Sequence, residues 1–131
     1  MPYRLLFGGI LLVATLACRA QLPQVSAGNI VRHADFPSSF VTPRHVDVWL
    51  PEGYTPNKKY AVLYMHDGQM LFDASTTWNQ QEWGVDETLS RLLREKKIRD
   101  CIVVGIWNAG TYRHADYFPQ KPFEGLPQAV Q

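Results

Sequence analysis

The sequence predicts an α/β domain on a mixed sheet, antiparallel at its start and parallel thereafter, and three observations predict it. Residues 45–50 alternate apolar and polar side chains, the period of a half-buried strand. Residues 60–65 and 101–106 are short, continuously apolar runs, as expected of parallel strands covered on both faces. Between those runs the apolar residues shift to helical spacing. Strand, connection, helix, strand makes a right-handed βαβ unit, here preceded by an antiparallel hairpin.

The elements follow in chain order. Residues 1–20 predict a signal peptide: Arg4 supplies a positive start, residues 5–17 an apolar run too short to span a bilayer, and Cys18-Arg19-Ala20 small residues for cleavage before Gln21. The chain is therefore expected to be exported, periplasmic or secreted. Leu16-Ala17-Cys18 also resembles a bacterial lipoprotein processing site, so a membrane partner is expected only if Cys18 is lipidated. Cleavage leaves Cys101 without a disulfide partner, and its place at the head of an apolar run predicts a buried, inert thiol.

Residues 29–33 form a first strand that stops near Pro37. In the alternating strand Val46, Val48 and Leu50 share a face, and Pro51-Glu52-Gly53-Tyr54 ends it. The strand 60–65 runs into His66-Asp67-Gly68-Gln69, where Gly68 permits a sharp turn or a close backbone approach. Residues 67–83 show no sustained period, a length that in a compact domain marks either a functional connection or a wrongly assigned element. From Val85 the helix begins. Val85, Leu89, Leu92 and Leu93 share one face, with Asp86 and Glu87 early and Arg94, Lys96 and Lys97 late, the charge order that complements the helix dipole. Past Ile106 the chain reads as loop to Gln131.

Thirteen Lys and Arg balance twelve Asp and Glu without a basic stripe, which excludes a nucleic-acid partner. Gly8-Gly9, Gly105 and Gly110 make no phosphate-binding loop, so no cofactor is expected. Arg32-His33-Ala34-Asp35 recurs as Arg113-His114-Ala115-Asp116, yet His-x-Asp lacks the helical spacing of zinc motifs and no metal is assigned. No serine lies in a G-x-S-x-G context, so no nucleophile elbow is present. Ligands of an open parallel sheet sit beyond the carboxyl ends of its strands. His66-Asp67-Gly68-Gln69 and Trp107-Asn108 occupy those places.

The ordered series of Val46-Asp47-Val48-Trp49-Leu50-Pro51-Glu52-Gly53-Tyr54, residues 60–69 and residues 102–106 with Asn108 and Arg113 resembles the putative-esterase family. That family has the α/β-hydrolase fold and includes enterochelin-esterase-like, esterase-D-like and feruloyl or acetyl-xylan esterase-like enzymes. The resemblance covers residues 29–124 and implies an ester hydrolase working through an acyl-serine on a small-molecule or carbohydrate ester. It makes residues 45–50, 61–65 and 101–106 the second, third and fourth strands of that sheet. It places an oxyanion-hole donor on the turn of Asp67, Gly68 and Gln69, with the Gln69 N–H preferred, and an alcohol or acyl pocket against Trp107, Asn108 and Arg113.

In such enzymes the triad runs Ser, Asp or Glu, His, with the Ser after the fifth strand. Residues 21–131 are thus expected to be the N-terminal part of the domain, without nucleophile or base and inactive alone. His33, His45, His66 and His114 all lie upstream of where that serine belongs. A second reading is a small exported carbohydrate-binding module that uses Trp49, Trp78, Trp83 and Trp107 as platforms for sugar rings. One helix cannot cover two apolar strands, so a partly exposed sheet edge and poor solubility are expected.

Overall fold

The computed structural model describes residues 21–127. The expected signal peptide and Cys18 lie outside the described residues. Four strands, β1 (Asn29–Phe36), β2 (Arg44–Leu50), β3 (Ala61–Met65) and β4 (Cys101–Ile106), form one sheet in the order β1-β2-β4-β3. β1 pairs antiparallel with β2, β2 antiparallel with β4, and β3 parallel with β4. The expected hairpin and βαβ unit are both present. β4 enters between them, with Trp49 opposite Val103 and Leu63 opposite the same residue from the other side.

β1 extends past residues 29–33 to Phe36, next to the expected stop at Pro37, through a break in register after His33. Asp35 there takes φ 47°, and its N–H reaches His45 Nδ1 at 3.1 Å. A bulge lets a strand continue where its pattern fails.

The helix α1 (Val85–Arg94) crosses from β3 to β4. Gly84 precedes it at φ 59°. Lys96 and Lys97, expected in its last turn, lie just beyond it. Lys96 sits at φ 53°, its N–H donating to the Leu93 carbonyl at 3.0 Å while the Lys97 N–H donates to that of Leu92 at 2.9 Å. This crossed pair of bonds usually ends a helix on glycine; here a lysine takes the left-handed position. Residues after Ile106 are not all loop. A 3-10 turn at Gly110–Tyr112 leads into α2 (Arg113–Tyr117), and α3 (Gln120–Glu124) follows. Each helix is five residues, too short for a period to declare itself.

The core lies on one face of the sheet. Trp49, Leu71, Phe72, Val85 and Val103 are buried together, with Val25, Ile30, Met65, Leu89 and Leu93 packed against them. Two corrections follow. In β2 the covered face carries Asp47 and Trp49, whereas Val46 and Val48 face a shallow groove with Val104, Ile106 and Tyr64. Trp49 has more apolar surface to bury than either valine, and its Nε1 donates to the Ala27 carbonyl at 2.8 Å. β3, expected to be buried on both faces, is at the edge of the sheet among the described residues, with Tyr64 69% exposed. The expected exposed edge is therefore present. β4 alternates buried and half-buried positions. The connection without a period supplies Leu71 and Phe72, two of the most deeply buried side chains. Cys101 is buried and free, and burial pushes its thiol up from the ordinary value. No helix among the described residues is long and apolar enough to cross a membrane.

Candidate functional site

The ends of β3 and β4 lie side by side, Met65 opposite Gly105, so the segments that leave them must share one space. Gly68 and Gly105 make that possible. A Cβ on Gly68 would lie 2.6 Å from both the carbonyl carbon and oxygen of Gly105 and 2.9 Å from Trp107 Cδ1. A Cβ on Gly105 would meet Leu71 Cδ1 at 2.9 Å. Only two glycines allow the first turn after β3 to rest on the β4 backbone.

The turn begins at Asp67, which is buried with φ 53°. The Met70 N–H donates to the Asp67 carbonyl at 2.8 Å and closes a 3-10 turn over Gly68–Met70. Four side-chain donors from beyond β4 converge on the Asp67 carboxylate. Arg113 donates through Nε to Oδ1 at 2.8 Å and through Nη2 to Oδ2 at 2.7 Å. Asn108 Nδ2 donates to Oδ1 at 2.7 Å, and the Tyr117 hydroxyl stands 3.4 Å from it. The Arg113 guanidinium holds this carboxyl down at about 2, against burial that would raise it, with Asn108 assisting. Gln69 ties the same two segments together, its Oε1 accepting from the Asn108 N–H at 3.2 Å.

A second clamp fixes Trp107. Its Nε1 donates to Asp47 Oδ2 at 2.8 Å, and Asp47, fully buried, takes two further bonds from Arg32 Nε and Nη2, each 2.8 Å. The Arg32 guanidinium lies 4.6 Å from the Trp107 ring centroid, and His45 meets the ring edge-on at 5.0 Å. A paired, bidentate carboxylate is tolerable inside a core where a lone one is not.

These elements border an open cleft of about 740 Å³ lined by Asp67, Gln69, Trp107, Asn108 and Arg113, with Met70, Thr76, Trp78 and Trp83 also along it. All six residues expected at the site, Asp67, Gly68, Gln69, Trp107, Asn108 and Arg113, thus belong to one constellation. The His66 ring lies against that of Tyr117, 4.9 Å between centroids. Asn108 is committed on every side, since its Oδ1 also accepts the Gly110 N–H at 2.9 Å. Of the four tryptophans, Trp49 is core, Trp107 is clamped, and Trp78 and Trp83 are exposed at 86% and 54%. Sequence reading missed Asp47, Arg32 and Tyr117 as supports. The available signals were the repeated Arg-His-Ala-Asp, which holds Arg32, and a carboxylate on the same strand face as Trp49. Chemically, the cleft offers a rigid turn whose Gln69 amide stands outside the bond that closes it, beside aromatic walls.

The family model described as "Putative esterase" matches residues 38–129. No curated protein matches the chain. Among solved structures it is similar to a ferulic acid esterase from Anaeromyces mucronatus in complex with ferulic acid, at 27% identity and a TM-score of 0.44, covering 66% of this chain and 30% of that one. It is also similar to a mutant of the feruloyl esterase module from Clostridium thermocellum complexed with sinapinate, at 28% identity and a TM-score of 0.45, covering 64% and 28%. The chain therefore spans less than a third of the length of these structures.

Proposed function

The chain belongs to the putative-esterase family, and from that premise we propose that it is the N-terminal part of an exported serine ester hydrolase acting on carboxylic or carbohydrate-linked esters. The observation that carries the reading is the turn at Asp67, Gly68 and Gln69, pressed onto Gly105 and locked by Arg113 and Asn108. An oxyanion donor works only if it is held before the charge develops, and this turn is held by bonds to its own carboxylate. The Gln69 N–H is the donor, with Gly68 allowing the backbone close to the tetrahedral oxygen. Trp107 and Arg113 border the ester, Asn108 positions the turn, and Trp78 and Trp83 provide apolar surface for an acyl group or sugar ring.

The nucleophile and its base lie outside these 131 residues on this reading, so the chain alone holds one fragment of the machinery. The test is made in the whole enzyme that carries this domain. Gln69→Pro removes the N–H; Gln69→Ala keeps it and removes only the side chain. Loss of one oxyanion donor lowers kcat by about 10²–10³-fold, so the proline variant should fall that far and the alanine variant far less, with KM nearly unchanged. Equal loss in both would reject the Gln69 amide as donor.

The exposure of Trp78 and Trp83 favours a second reading, an exported carbohydrate-binding module. Titration of the 131-residue chain with soluble xylo-oligosaccharide, followed by tryptophan fluorescence, separates the two. Saturable binding lost in Trp78→Ala, in a whole protein without esterase activity, would favour the module.

A further inference from the structure

Around Trp83 in the chain, three carboxylates meet. Glu82, two residues before the left-handed Gly84, and Asp86 and Glu87 in the first turn of α1 each present one oxygen, all within 4.8 Å of one another. Sequence spacing alone hid this, because the turn at Gly84 is what folds Glu82 back over the helix start.

Two of these carboxylates carry buried oxygens without a partner. Asp86 is fully buried; one oxygen accepts the Ser26 N–H at 2.7 Å and the Ser26 hydroxyl at 2.8 Å, while Oδ1 is sealed from solvent and meets no donor. Glu82 Oε2 is likewise sealed and unmet. Leaving a buried carboxylate oxygen without a donor is among the more expensive arrangements a fold can hold. The helix does not meet this need: the Val85 N–H is spent on the Leu71 carbonyl at 3.1 Å and the Thr88 N–H on that of Gly84. No ion pair among the described residues reaches the three carboxylates; nearby Arg91 pairs with Glu95. Asp73 adds further negative charge nearby, and the Ala74 N–H bonds the Glu82 carboxylate.

We propose that Glu82, Asp86 and Glu87 bind a divalent cation, with calcium preferred. The donors are all hard oxygens, the chemistry that suits calcium and magnesium rather than softer metals. Three protein carboxylates around one ion suit calcium, whereas magnesium gives up its waters reluctantly and is usually held through one or two carboxylates. The bound ion cross-links three pieces of chain: the N-terminal segment through Ser26, the start of α1, and the connection that carries Trp83 to the cleft wall. It is a structural clamp, and it stands whether or not the chain is an esterase.

The test uses the complete 131-residue chain. Terbium replaces calcium at oxygen sites, and Trp83, adjacent to Glu82, is placed to sensitise it. Tryptophan-excited terbium emission should appear, be displaced by calcium, and accompany a calcium-dependent rise in Tm, with a Kd on the order of 10⁻⁴–10⁻³ M, as for extracellular modules. Glu82→Gln and Glu87→Gln should each weaken calcium at least tenfold, while Glu52→Gln, on the turn after β2, should leave it unchanged. Asp86→Asn is set aside because it also disturbs Ser26. Should Glu82→Gln fail to fold by circular dichroism, exposed Glu87 carries the test. No rise in Tm at calcium up to about 10 mM, ten times the weakest expected Kd, would overturn the proposal. So would a rise that persists undiminished in Glu87→Gln.

Discussion

Asp67 holds a left-handed backbone that costs a non-glycine residue about 1–2 kcal/mol, and the bonds to its carboxylate from Arg113 and Asn108 offset that strain. A carboxyl held at about 2 in the fold against an ordinary 3.8 stabilises the protein above the ordinary value. That stabilisation disappears as pH falls through the interval toward 2. It amounts to about 2 kcal/mol at most, since Arg113 is partly exposed. Urea unfolding of Asp67→Asn should therefore show a flatter loss of stability below about pH 4 than the parent chain; identical slopes would refute the clamp. Gly68→Ala tests the other support. Its Cβ would press on the Gly105 carbonyl at 2.6 Å, backbone that has no rotamer to yield, so a loss of about 1–3 kcal/mol is expected in the same urea assay. The repeated Arg-His-Ala-Asp also resolves at this scale. Arg32 clamps Asp47 and Arg113 clamps Asp67, each in a bidentate pair. The echo was visible in the sequence, but which aspartates the arginines would meet depends on strands 15 and 46 residues away.

At the scale of elements, β2, β3, α1 and β4 were legible because each carries a period or an apolar run long enough to count. What escaped was burial. Continuous apolarity in residues 60–65 predicted cover on both faces, yet among the described residues β3 pairs with β4 alone, with Val62 and Leu63 each more than two-fifths exposed. Pattern records which residues favour burial; strand order decides which receive it. The turn-rich connection shows the converse: Leu71 and Phe72 reach the core from a segment without a strand or α-helix, tied down where the Trp83 and Val85 N–H groups donate to the Met70 and Leu71 carbonyls. The edge has a measurable consequence, because an unpaired apolar strand is a template for another chain. Leu63→Lys should lower the associated fraction seen by sedimentation velocity at matched concentration. Its Tm should scarcely move, since exposed substitutions usually stay within about 0.5 kcal/mol. Unchanged association would mean that β3 is not the contact.

For the whole molecule, the proposed chemistry divides unevenly along the chain. Residues 66–69 and 107–117 build a preorganised turn and one wall of a cleft, all from the carboxyl ends of two adjacent strands. The serine residues offer no counterpart. Ser26 donates to Asp86, Ser38 accepts the Phe40 and Val41 N–H groups, Ser75 donates to Asp73, and Ser90 is buried in α1. Among the described residues no serine, Ser39 included, shares a hydrogen bond with a histidine, the pairing that activates a hydroxyl. Transition-state stabilisation without a nucleophile leaves at most the residual fraction that an oxyanion site and binding provide on their own. The 131-residue chain should therefore hydrolyse p-nitrophenyl acetate no faster than a blank of equal protein mass, at any pH from 6 to 9. Saturable turnover by the purified chain, abolished by Gln69→Pro, would place a working nucleophile inside these residues and overturn that division.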